Sequence, residues 1–288
     1  MKEPEISKAR TVAVTSQSTP SKVSEIEPYV QKLIEEHRPA LEQIGSALLG
    51  FLNQAGSVIR LLHSTIQKSA PQIIQLLEGI RAMPQVYRQA ILELGQSGWY
   101  FDGNMPLHMP MEIAALVKDD KLEEVDAFMD NYFGAHLDHI EQELTAAFPL
   151  RAKIICAAFS AHRNGQFELS VPVLLTQVDG ICAELTGLSP FRRKDKRPTT
   201  AAYVESLQNA FLEALLVPFS ENLPISSSEH ERPPHFASLN RHMVLHGESV
   251  DYATKRNSLK AISLLNYTVQ YLLISKEESS RQRASAST

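Results

Sequence analysis

The chain has 288 residues, 43% of them apolar and 21% charged, with a formal net charge of −5. That is enough chain to bury a core in one large or two small domains, and the composition is that of an ordinary globular protein. The negative balance excludes a global basic field for nucleic acid, so any contact with RNA has to come from local patches. Cys156 and Cys182 each lie in an apolar helical pattern and read as reduced core residues, not a disulfide framework. No apolar leader opens the chain and no run approaches the roughly 18 apolar residues of a membrane span, which points to a cytoplasmic protein without a membrane segment.

Residues 1–24, rich in Ser, Thr, Lys and Glu, read as disordered. From Glu25 to Gly95 the pattern is helical, broken by Pro39, Pro71 and Pro84, and makes an N-terminal helical region, 25–95. Ile44, Leu48, Phe51, Leu52, Ile59 and Leu62 recur at helical spacing, as do Ile73, Leu76, Leu77 and Ile80. With Gly45, Gly50, Ala55 and Gly56 interleaved, this stripe reads as a bundle layer or dimerisation face. An amphipathic membrane or partner-binding segment is the alternative.

A second helical region spans 96–275. Gly95-Gln-Ser-Gly98 is a breaker, and Trp99–Gly103 with Pro106 and Pro110 forms an irregular aromatic loop whose tryptophan plugs the joint between two helical halves. Asp119-Asp120 starts a helix to Phe148, buried on Leu122, Val125, Phe128, Tyr132, Leu137, Ile140 and Leu144. His136 and His139 lie on it without a third ligand nearby, which is a surface feature more often than a metal site. A helix on Ile154, Ile155, Ala158 and Phe159 follows Pro149, and Arg163-Asn-Gly165 is a turn. Ser170 and Pro172 open the next helix, carrying Val171, Leu174, Leu175, Val178, Ile181, Cys182 and Leu185. Gln177, Asp179 and Glu184 interrupt that apolar helix, and such residues must be exposed, paired or functional.

Arg192, Arg193, Lys194, Lys196 and Arg197 form a basic run that is either a solvated loop or a patch that tracks phosphates. Thr199 or Thr200 caps a helix on Tyr203, Leu207, Phe211 and Leu215, and the Pro/Ser/Glu-rich stretch Pro218–Pro234 reads as a mobile loop. Lys255–Ser258 opens a last helix on Leu259, Ile262, Leu265, Val269 and Leu273, with a frayed polar tail over 276–288. No internal repeat and no useful strand-period segment appears, so the fold class is all-α, a helical bundle.

The chemistry concentrates in Asn240-Arg241-His242-Met243-Val244-Leu245-His246-Gly247. Residues five apart on a helix are rotated by about 140°. Arg241 and His246 therefore converge only if the helix ends near His246, and Gly247 is the residue type expected just past such an end. A guanidinium grips two phosphate oxygens in a fork, and an imidazole exchanges protons near neutral pH.

This arrangement resembles the HEPN superfamily, helical domains with an Arg, four to six residues, then a His; 151–185 supplies the preceding helical pair and 239–273 the motif and closing helix. The resemblance implies a metal-independent endoribonuclease with Arg241 and His246 catalytic and no cofactor. It places His242 and Asn240 in support, with His242 orienting the substrate or helix end and not handling protons. One of Gln177, Asp179 or Glu184 would hold the guanidinium. It further implies RNA as substrate and a two-fold homodimer with facing motifs. A role in toxin or antiviral defence, with an inhibitor or partner protein, fits the same resemblance. Two other readings stay open. His242 and His246, four apart with His230, His235, Glu248 and Asp251 near in sequence, suit a metal. Alternatively Arg241 pairs with an acidic neighbour and His246 caps the helix in a non-catalytic interaction module.

Overall fold

The computed structural model describes residues 70–286. The expectations for residues 1–69, including the Ile44–Leu62 stripe and the break at Pro39, and the side-chain pattern from Ile73 to Ile80, lie outside the described positions. Among the described residues the chain is all-α, with nine α-helices, short 3-10 turns and one two-stranded hairpin. The helices are α1 Ala70–Gln96, α2 Met109–Lys118, α3 Leu122–Ala147, α4 Ala152–Arg163, α5 Phe167–Thr186, α6 Ala201–Glu205, α7 Ala210–Leu215, α8 Arg241–Leu245 and α9 Lys255–Ala286.

The centre of the bundle is the pair α5 and α9, so 151–185 and 239–273 do pack together. Where a helix runs through the middle of a bundle it must be buried all round, as the middle of α9 is, whereas α5 keeps an outward face. In α9 every residue from Ala261 to Val269 is buried, a wider surface than the stripe expected from Leu259, Ile262, Leu265 and Val269. Two of its small polar members bond back to the helix's own carbonyls, Thr268 to Leu264 at 2.6 Å and Ser263 to Lys260 at 2.8 Å, while the buried Asn266 amide has no partner among the described residues. The helix also continues through Ser275 and Glu278, both buried, so the tail expected to fray from 276 is helical to Ala286.

α4 and α3 pack in sequence around this pair, and α1 packs on α2 and α7. The joint is the loop after α1. Trp99 is fully buried, donates its indole N–H to Asp126 at 2.7 Å and stacks on Phe133. Arg256 at the start of α9 reaches Asp126 at 2.9 Å and Asp130 at 3.1 Å, tying α9 to α3. Inside the bundle His162, Ser258 and Ser170 form a buried chain, with 2.7 Å between each pair of partners. Burial, helped by the positive charges of Lys255 and Arg163, pushes the His162 imidazole down to about 4.

Several local expectations change. Pro84 does not break α1, and α5 begins at Phe167 with Pro172 inside it, not at Ser170. Each proline removes one backbone donor, but flanking residues such as Tyr87 and Ile91, or Val171 and Leu174, are locked in the core and hold the helical path. On α3 the buried stripe is Val125, Met129, Phe133, Ile140 and Leu144, while Leu122 and Phe128 are exposed. Lys121, not the Asp pair, occupies its N-cap. Ile154 and Cys156 face outward on α4, so only Cys182 is a core cysteine. The single helix expected after Thr200 is two short ones, the second capped by the Asn209 side chain on Phe211 and Leu212. Pro218–Pro234 is anchored by 3-10 turns and by buried Phe219, Leu223 and Ile225, so it is not a loose loop. α5 is, among the described residues, a helix long and apolar enough to cross a membrane, but Leu174, Leu175, Val178 and Ile181 spend that character inside the bundle.

Candidate active site

A five-residue helix cannot hold itself, so α8 depends on its ends. Asn240, 1% exposed, accepts from the Met243 amide at 3.1 Å and so caps the first turn. Its side-chain amide donates to the carbonyls of Pro224 at 2.7 Å and Ser227 at 2.9 Å, pinning the helix to the anchored loop. At the other end Gly247 takes a φ of 73°. The Glu248 amide donates to Met243 at 2.8 Å and that of Gly247 to Val244 at 3.3 Å, the paired bonds of a glycine-terminated helix. The stop expected after His246 is therefore present, with Asn240 as the other fastening.

Arg241 reaches α5. Its guanidinium meets Asp179 at 3.3 Å and lies 5.4 Å from the centre of the buried Phe191 ring. Ser189 donates to the other Asp179 oxygen, so the carboxylate is fixed from two sides. The Arg241 Nε–H is buried without a partner among the described residues. Of the three polar residues on α5, Asp179 is thus the one that faces Arg241. Gln177 and Glu184 instead accept from Arg151, at 3.0 Å and 3.0 Å. Helical spacing explains the split, since 177 and 184 are two turns apart on one face and 179 is rotated away. Arg151 crosses α5 at Gly180, where a Cβ would stand 2.8 Å from its Nη1.

The two histidines pair with one another. His246 closes α8 in a right-handed conformation, φ −93° and ψ −2°, so the helical path persists to it. Its ring lies parallel to that of His242, 5.9 Å centre to centre with 1° between planes. Arg241 therefore points toward Asp179 while His246 stays on the His242 side, and no direct Arg241–His246 contact forms. Burial lowers the His242 pKa below that of an ordinary histidine, reinforced by the positive charges of Arg241, His246, Arg193 and Arg232. Arg193 is itself tied to Glu231, and Arg232 to Glu248 at 3.0 Å.

The basic run is a hairpin, with Arg193 opposite Pro198 and Lys194 opposite Arg197. Asp195 and Lys196 both take positive φ, 53° and 65°, as a tight two-residue turn demands. Arg193 bonds Glu231 and the Ser226 carbonyl, and Arg197 bonds Glu205 at 2.6 Å, so these two brace the fold. Lys194 and Lys196 stand at the exposed tip. Arg192 lies on the rim of an open cleft of about 390 Å³ that also includes Arg241 and Asp179. In the sequence this cleft shows only as Gly180, Ala183 and Gly187, which repeat at helical spacing with almost no side chain, following Thr176. Among the described residues no group of three His, Cys, Asp or Glu side chains is placed to hold a metal ion, so His230, His235, Glu248 and Asp251 do not join the histidine pair.

No family model, curated protein or solved structure matches the chain.

Proposed function

We propose that the chain is a metal-independent endoribonuclease of HEPN type, acting at Arg241, His242 and His246. The observation that carries the reading is the short α8, fastened at both ends, which aims Arg241 at Asp179 and sets the His242 and His246 rings parallel to one another. The substrate's 2′-hydroxyl attacks the adjacent phosphorus. The O2′–P bond forms, the P–O5′ bond breaks, and the products are a 2′,3′-cyclic phosphate and a free 5′-hydroxyl. One group must accept the proton from O2′ and another must deliver one to O5′.

Two imidazoles on one helix end supply both, so His242 takes a proton role and does not only orient the substrate. Its lowered pKa leaves it neutral near pH 7, which suits the base. His246 takes the acid role. Arg241, oriented by Asp179, balances the charge that builds on the phosphorane oxygens, an electrostatic contribution that is often the largest in such reactions. The resemblance also implies a two-fold homodimer with facing sites. Leu150, 100% exposed in the 3-10 turn Pro149–Arg151, with Ile154 on the first turn of α4, provides apolar surface for it.

The test is purified protein with total RNA in EDTA, beside Arg241→Ala and His246→Ala. Cleavage by the wild type alone supports the reading. Cleavage that survives His246→Ala and disappears with the chelator contradicts it. The Arg241–Asp179 ion pair also suits a non-catalytic binding module, and RNA bound but never cut would favour that alternative.

A further inference from the structure

The cleft beside Arg241 has a floor of small residues, closed at its Gly180 end by the Arg151 guanidinium and open toward Ala183 and Gly187. Gly180 and Ala183 lie on the outward face of α5, and Gly187 ends the helix with a φ of 75° and open space where a Cβ would be. The rim is charged on two sides. Arg241 is balanced by Asp179, whereas among the described residues no carboxylate pairs with Arg192. Thr176 and Ser189 add hydroxyls, both already donating inward, to the Val173 carbonyl and to Asp179, which leaves their oxygens as acceptors. A volume of about 390 Å³ lies at the small end of ligand sites and suits about one nucleotide.

We propose that this cleft is the subsite for one unpaired nucleotide of single-stranded RNA next to the cleaved phosphate. Arg192 binds the neighbouring phosphate, and the ribose and base lie on the Ala183–Gly187 floor, with the Arg151 guanidinium over Gly180 as its far wall. The inference rests on the nuclease reading, because Arg241 is the group shared between the cleft and the motif. A base in a duplex is stacked on both faces and cannot enter such a recess, so the subsite selects unpaired segments. Arg192 is thereby the member of the basic run that touches substrate, while Arg193 and Arg197 hold the hairpin in place.

The experiment uses the full chain with His246→Ala, so that substrate is bound and not consumed, and a fluorescein-labelled oligouridylate read by anisotropy. Arg192→Ala and Ala183→Trp, the latter filling the floor from an exposed position, are each added to that background. Lys118→Ala on α2 serves as a remote loss of one positive charge. Each cleft variant is expected to weaken binding about tenfold, the scale of one lost base or phosphate contact, with Lys118→Ala within about twofold of the parent. A duplex of the same length is expected to bind equally to parent and Ala183→Trp. Unchanged single-strand binding in both cleft variants, while the wild type still cleaves RNA, overturns the subsite and leaves the nuclease reading standing. Weakened binding in a protein whose wild type never cleaves keeps the cleft as a single-strand binding site and overturns the nuclease reading together with its place beside a cleaved phosphate. A wild type that neither binds nor cleaves overturns both.

Discussion

His162 makes acid a specific threat to this fold. The imidazole is 5% exposed, bonds Ser258 at 2.7 Å and is held at about 4, first by burial and then by the positive charges of Lys255 and Arg163. The unfolded chain returns it to about 6.5. A folded pKa below the unfolded one means that the unfolded state takes up the proton first. Stability from this group is therefore full above pH 6.5 and is lost as the pH falls toward 4. Two and a half pH units correspond to about 3 kcal/mol, of which about 2 kcal/mol is gone by pH 5. The perturbation is His162→Gln, which keeps a neutral hydrogen-bonding side chain near Ser258 but cannot titrate. Urea denaturation at pH 7 and pH 5 measures the difference. The wild type is expected to lose about 2 kcal/mol more than the variant between those two values. Equal losses would refute the reasoning, because all other titrating groups are common to both proteins.

Three further outcomes follow from the site. Asn240→Ala removes both the cap on Met243 and the donors to Pro224 and Ser227, and is expected to destabilise by about 2 kcal/mol in the same assay, with Asn240→Asp recovering only the cap. His242→Gln is expected to lower kcat by about 10²- to 10⁴-fold and to erase the acid limb of the pH–rate profile, which in the wild type falls below pH 6.5 because the base pKa is depressed. Arg241→Lys is expected to fail to restore the activity lost in Arg241→Ala, since an ammonium keeps the charge but not the fork; KM and kcat for an oligonucleotide check it.

The parts of this account that could be read from residues alone are those fixed by short-range rules. Helical periodicity located α5 and α9, and their apolar density required that they meet. Gly247 marked the end of α8 because a residue past a helix end takes positive φ, as it does here. Asp179 was one of three polar interruptions in an apolar helix, and only the placement of Arg151 over Gly180 decided that Gln177 and Glu184 were already occupied.

What was hidden depended on distant partners. Pro84 and Pro172 look like breaks by local rules, yet core packing on either side carries the helix through them. The Pro/Ser/Glu-rich segment looks mobile until Asn240 and Arg193 are seen bonded to its carbonyls. The turn Asp195-Lys196 lacks the glycine that usually announces a hairpin. Convergence of Arg241 on His246 was expected from a helix that ends near His246. The helix does end there, but His246 keeps a right-handed conformation and its imidazole aligns with His242.

The central claim is that Arg241, His242 and His246 drive attack by the substrate's own 2′-hydroxyl. The most direct measurement is end-group analysis of a synthetic single-stranded RNA incubated with the protein in EDTA, beside the same strand carrying 2′-O-methyl groups. The account predicts cleavage of the unmodified strand to 2′,3′-cyclic phosphate and 5′-hydroxyl ends, with the methylated strand intact. Cleavage of the methylated strand, or products ending in a 3′-hydroxyl, would contradict it.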